Sequence, residues 1–207
     1  MENVNLVLIM AAAFLGAASP GPATLTIAGT SMQHGRKPGL ALAAGVCTGS
    51  LIWSVSAAFG LGAVMLANAW MFEAVRYFGA GYLMYLAIRS ARSALRPGAP
   101  ELRASAVPTL RSAYGKGLAL HLTNPKAVLF FGSLYAIGLP AGTPLSALLV
   151  VMAAIAVQST LIFHGYALLF SSSTASRMYL RLRRGFEALF AATFGAASWQ
   201  ILVARLS

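Results

Sequence analysis

The chain has 207 residues, of which 58% are hydrophobic and only 9% charged, against about 25% charged in an ordinary soluble domain. A water-soluble fold of this size cannot hide that much apolar surface, so an integral membrane protein is expected. The formal charge of +11 does not argue for nucleic acid, because the basic residues form no groove or arm and fall between apolar runs.

Glu2, Glu73, Glu101 and Glu187 are the only acidic residues, and Cys47 is the only cysteine. This excludes an intrachain disulfide and a thiol-pair relay. It also leaves no obvious mid-membrane carboxylate and too few acidic groups for a hard or divalent cation site. Neither a metal nor a cofactor is called for.

Six apolar runs, roughly 4–30, 39–67, 70–88, 115–138, 145–170 and 186–204, each lie near the length a bilayer requires. Continuous apolarity rather than alternation makes them helices, since only helices or closed barrels satisfy the backbone in lipid. The first run lacks a basic leader segment and is expected to stay as a span rather than be removed as a signal peptide.

That first run is interrupted by Ser19-Pro20-Gly21-Pro22. The prolines stop backbone pairing, Gly21 permits close approach, and Ser19 is expected as a cap. Carbonyls freed in such an unwound stretch are available to an ammonium group; the structural alternative is a plain proline kink. In the second run Ala41, Gly45 and Gly49 follow small-xxx-small spacing, with Trp53 one turn on. This is a packing face for a neighbouring helix or for a second copy of the chain, which leaves a homodimer open. Gly79 and Gly81 precede Tyr82 and Tyr85 in the third run and read the same way.

Residues 89–114, with Pro97, Pro100, Pro108 and several arginines, read as a cytoplasmic linker. The fourth run then carries Asn124-Pro125-Lys126 in its middle. Asn124 suits an N-cap and Pro125 the first position of a new helix, so this run is expected as two half-helices. The amides and positive dipole end of the second half, together with Lys126, would favour a carboxylate. The structural alternative is a lysine stem that snorkels to the interface. Lys126 lies about 15 Å past Lys116 if the intervening chain is helical, a long reach for that stem. Gln158, Ser159, Thr160 and His164 are the polar residues of the fifth run. Histidine as a residue type titrates near neutral pH, which makes His121 and His164 candidates to carry protons, although lone histidines also serve as satisfied structural groups.

Basic residues set the topology. Arg36 and Lys37 follow the first run; Arg89, Arg92, Arg96, Arg103, Arg111 and Lys116 follow the third; Arg177, Arg181, Arg183 and Arg184 follow the fifth. The opposite ends carry only Arg76 and Arg205. The basic loops are therefore expected in the cytoplasm and both termini in the periplasm.

Three spans on each side of the linker force the second half into the bilayer upside down. Pro22, Gly35 and Gly39 precede Pro125, Gly138 and Gly142 at one constant spacing, and Phe78-Gly79-Ala80 recurs as Phe194-Gly195-Ala196. The expected fold is an all-α integral membrane protein: six transmembrane helices as two inverted three-helix repeats (1–88 and 115–207, joined by 89–114) with helices one and four broken. Such repeats place a substrate site at their interface. The candidate binding residues are Ser19, Pro20, Gly21, Pro22, Asn124, Pro125 and Lys126, and the candidate proton carriers His121 and His164.

The chain resembles the LysE/RhtB family of amino-acid exporters. Ser19-Pro20-Gly21-Pro22, Gly35-Arg36-Lys37-Pro38-Gly39 and Gly45 are similar to its first signature, and Phe78-Gly79-Ala80-Gly81-Tyr82-Leu83-Met84-Tyr85-Leu86 to its third-span region. Gly115-Lys116-Gly117 leading to Asn124-Pro125-Lys126-Ala127 and Phe130-Phe131 is similar to its most specific motif. The resemblance implies a bacterial inner-membrane exporter of a small amino acid or related metabolite, driven by the proton gradient, and not an enzyme. Many members carry an acidic or amide residue where Ala23 stands, so a neutral substrate is expected ahead of lysine or arginine. The rival readings are a passive pore built on the same broken helices and an intramembrane enzyme, for which no Gly-x-Ser-Gly nucleophile is present.

Overall fold

The computed structural model describes residues 6–67, 69–95, 109–140 and 142–203. Among them every regular element is a helix: α1 (Leu6–Ala18), α2 (Pro22–His34), α3 (Arg36–Ala67), α4 (Ala69–Leu95), α5 (Leu110–Leu122), α6 (Pro125–Gly138), α7 (Leu145–Phe170) and α8 (Ser173–Val203). This is a helical membrane protein. Over Arg36–Gly60 and over Leu145–Phe170, α3 and α7 are long and apolar enough to cross a bilayer, and α1 with α2 makes a third such stretch, bent by 51°.

Both expected interruptions are breaks between helices, and proline chemistry explains where they fall. α2 begins at Pro22 and α6 at Pro125, where a missing N–H costs nothing because first-turn donors have no intrahelical partner. Asn124 caps α6, its side-chain oxygen accepting from the Lys126 N–H at 3.1 Å. Ser19 does not cap α2. The extended residue Gly21 holds that position, and its N–H is taken by the Thr24 hydroxyl at 2.9 Å. The equal spacing of the glycines is not matched by equal conformation. Gly35 and Gly142 have left-handed φ values of 82° and 78°, whereas Gly138 closes α6.

Two expected boundaries move. α4 continues to Leu95 and α5 starts at Leu110, so both ends of the expected 89–114 linker are helical. Its middle, residues 96–108, lies outside the described residues, as do Glu2 and Arg205. α8 starts at Ser173 rather than near 186, because the stretch of Arg, Met and Leu favours helix and only Ser171 and Ser172 separate it from α7. Arg177, Arg181 and Arg184 are thus exposed positions on a helix, not loop residues. Arg184 Nε donates to the Ala94 carbonyl at 2.9 Å, satisfying an orphan group at the end of α4.

The most extensive contacts join α4 to α8 and α3 to α5, followed by α3 to α7. Small residues bring α3 and α5 together. A side chain at Gly45 would run into the Tyr114 carbonyl, and one at Gly117 into the Leu42 carbonyl. A Cβ on Gly49 would stand 2.9 Å from the Cβ of His121. The small-xxx-small stripe is therefore occupied by a neighbouring helix of the same chain. Ser198 of α8 donates to the Ala80 carbonyl of α4 at 2.9 Å. Tyr135, Phe170, Phe194, Ile9 and Ile27 fill the interior, while Val7, Leu161 and Trp199 point outward as lipid-facing residues do.

Candidate functional site

The two breaks meet. Lys126, in the first turn of α6, turns its amine toward the α1–α2 break, where Nζ donates to the Ser19 carbonyl at 3.0 Å and to the Ser19 hydroxyl. Ser19 is buried, and its hydroxyl in turn donates to the Gly16 carbonyl at 3.2 Å. Gly21 is close enough that an added Cβ would stand 3.4 Å from Lys126 Nζ. A second freed carbonyl, that of Ala18, accepts from the Tyr166 hydroxyl of α7 at 2.7 Å. Side chains from α6 and α7 thus do for the broken backbone what helix hydrogen bonds do elsewhere.

The start of α6 differs from the expected anion site. Pro125 has no N–H, the Lys126 N–H goes to the Asn124 side chain, and the Ala127 N–H goes to the Asn124 carbonyl at 2.9 Å. The first-turn amides are satisfied within the chain. What remains for an anion is the positive end of the helix and the Lys126 ammonium. Tyr82 of α4 fixes this turn from outside, donating to the Lys126 carbonyl at 3.1 Å.

An inner cavity of about 40 Å³ lies beside this contact, lined by Ser19, Gly21, Asn124 and Lys126 and also by Ser50 and His121. Phe130, Phe131 and Phe163 close its apolar side. His121 is buried, with Nε2 at 3.0 Å from the Ser50 hydroxyl, while Nδ1 has no hydrogen-bond partner. The other histidine lies apart. His164 has Nδ1 at 3.0 Å from the Thr160 carbonyl and 3.9 Å from Cys47 Sγ, and it lines neither this cavity nor the next.

A second cavity, of about 90 Å³, lies on the other side of Ser19 and Lys126 and includes Pro20, Arg89, Ser90, Ser93 and Glu187. Glu187 corrects the expectation that no carboxylate borders the site. Only 3% of it is exposed, and it accepts from the Ser93 hydroxyl at 2.9 Å. The signal was present in the sequence, since an acidic residue in an apolar run is costly and calls for a partner. Ser50 and Tyr166 had no such signal, because serine and tyrosine are ordinary in membrane helices.

Two helix breaks sewn together by one lysine between two small cavities suit a carrier of small solutes better than any covalent chemistry. A family model described as LysE type translocator matches residues 14–204. The chain belongs to the LysE type translocator family. A threonine efflux protein of Escherichia coli K12 is 27% identical over 189 residues, covering 90% of this chain and 92% of that one. A leucine efflux protein of Klebsiella pneumoniae is 35% identical over 116 residues, covering 56% and 54%. An uncharacterized membrane protein of Escherichia coli K12, YahN, is 28% identical over 186 residues, covering 89% and 82%. No solved structure gives a significant match.

Proposed function

We propose that this translocator exports a small neutral amino acid across the bacterial inner membrane, coupled to protons, by alternating access of two inverted three-helix halves (residues 1–88 and 115–207). The observation that carries the reading is the bond from Lys126 Nζ to the Ser19 carbonyl, which joins the two helix breaks. Broken helices that meet at a repeat interface are the usual seat of substrate in such transporters. The relatives named for threonine and leucine efflux support an uncharged side chain on the substrate.

The chemistry is an exchange of ammonium groups. The substrate ammonium takes the Ser19 carbonyl, with the unwound Pro20, Gly21 and Pro22 alongside. The displaced Lys126 ammonium pairs with the substrate carboxylate at the positive end of α6, next to Asn124 and Pro125. The inner cavity measures about 40 Å³, and parting of the halves around it is the transport step.

The halves contact each other most through α4 on α8, α3 on α5 and α3 on α7, and the first and last of these pairs join corresponding helices. That pattern supports two pseudo-symmetric units able to rock on one another. Basic residues at the start of α3, the end of α4 and the first half of α8 support a cytoplasmic location for those ends. His121 is the favoured proton carrier because it borders the cavity with one ring nitrogen unpartnered; His164 lies away from it.

Export from dipeptide-loaded cells tests the reading. Cells expressing the wild type should release one or a few neutral amino acids, and collapse of the proton gradient should stop uphill release. Release that continues only down the concentration gradient would make the protein a pore.

A further inference from the structure

The second cavity has a different character from the first, and the swap between Lys126 and substrate does not use it. Its wall holds groups of both signs, the buried Glu187 carboxylate of α8 and Arg89 of α4, together with the hydroxyls of Ser90 and Ser93. It shares Ser19 and Lys126 with the inner cavity, so the Lys126 side chain is the partition between them. Arg89 lies toward the arginine-bearing end of α4, which continues to Arg92, and Glu187 lies near the middle of α8, whose first half carries Arg177, Arg181 and Arg184.

A buried carboxylate that borders a solute-sized space can accept from a ligand's ammonium beside the Ser93 hydroxyl it already accepts from. A guanidinium in the same wall favours a carboxylate, which it can hold with two parallel hydrogen bonds. A ligand that satisfies both at once is a zwitterion. The space measures about 90 Å³, against about 40 Å³ for the inner cavity.

We propose that this cavity is a vestibule subsite that binds the zwitterionic amino acid before the inner site opens, with Arg89 receiving its carboxylate, Glu187 receiving its ammonium, and Lys126 as the closed door behind it. The subsite rests on the export reading above for its direction of use, but it can be tested separately. It assigns Glu187 and Arg89 to substrate capture from the basic side, and it makes the conformation seen here a loading state. The substrate ammonium then moves from Glu187 to the Ser19 carbonyl as Lys126 withdraws.

The test uses single-cysteine reporters in full-length Cys47→Ser protein in inside-out vesicles. Ser90→Cys and Ser93→Cys each place a thiol in the cavity wall for a charged thiol reagent. L-Threonine is the probe; 3-hydroxybutyrate and 1-aminopropan-2-ol, which lack its amine and its carboxylate respectively, are the comparisons. The expected result is labelling slowed about fivefold by saturating threonine at both reporters, with neither comparison compound protecting at the same concentration. Adding Glu187→Gln should raise the half-protecting threonine concentration by about tenfold, as for loss of one charge-assisted contact. Unprotected labelling at both reporters overturns the subsite, as does equal protection by 3-hydroxybutyrate, which would make it a plain anion site. Threonine export by the wild type without protection leaves the export reading standing and removes the vestibule alone. Protection without export of any amino acid keeps the vestibule and removes the export reading.

Discussion

Lys126 and Ser19 lie in different halves of the chain, yet the lysine ammonium donates to the Ser19 carbonyl at 3.0 Å and also contacts its hydroxyl. A lysine inside an apolar helix region carries a desolvation cost that a partner must offset. Here the partner exists only because Pro20 and Pro22 prevent the first helix from using its own carbonyls. Each break therefore supplies what the other lacks.

Ser19→Ala separates the two contacts of that lysine. The carbonyl remains and the hydroxyl is lost, so export should fall by about tenfold or more with the protein still folded, in line with loss of one hydrogen bond to a charged group. Initial rates of amino-acid release from dipeptide-loaded cells, normalised to protein in the membrane, provide the check.

Gly45 and Gly117 should tolerate no side chain. Leucine at Gly45 would meet the Tyr114 carbonyl of α5, and valine at Gly117 the Leu42 carbonyl of α3. Backbone cannot rotate away, so each change should destabilise by about 2 kcal/mol or more. Gly115→Ala is the control, because nothing lies within 4 Å of its added Cβ. Thermal unfolding of detergent-solubilised protein should rank the control with the wild type and both bulky variants well below.

Asn124→Ala removes the cap of α6 and should cost about 1 kcal/mol. Tyr166→Phe removes the donor to the Ala18 carbonyl, worth about 0.6 kcal/mol on average for an interhelical bond in a membrane. Because the Asn124 side chain also lines the inner cavity, its loss should lower export more than stability alone explains. Measuring melting temperature and export on the same preparations separates the two.

The histidines should differ. His121→Gln should remove the dependence of export on the proton gradient, because His121 borders the inner cavity; His164→Gln should leave that dependence intact. The comparison is export with and without an uncoupler. If the variant with both histidines replaced retains full proton-driven export, neither residue is the carrier.

Where the helices break was legible because proline acts locally, through its missing N–H and its fixed backbone angle. Asn124 and Pro125 read correctly for the same reason. Ser19 did not. Its fate depends on Lys126, more than a hundred positions away, and no local rule finds that bond. The small residues of α3 announced close packing but not the partner, which only the fold identifies as α5. Glu187 was visible as one of four acidic residues. Its place beside Lys126 follows from α8 packing on α4, a long-range pairing that a hydropathy pattern does not encode. The start of α8 was misplaced because its arginines looked like a loop on charge, although their helix propensity pointed the other way.

The central claim is that Lys126 is the movable contact between the two breaks and the partner of the substrate carboxylate. The direct measurement is release of every amino acid from dipeptide-loaded cells expressing the wild type or Lys126→Ala, with membrane levels matched. The account predicts release of one or a few neutral amino acids by the wild type and at least a tenfold loss in the variant, as expected when one charge-assisted contact to a carboxylate is removed. Undiminished release by the variant would contradict it and leave Lys126 a structural lysine.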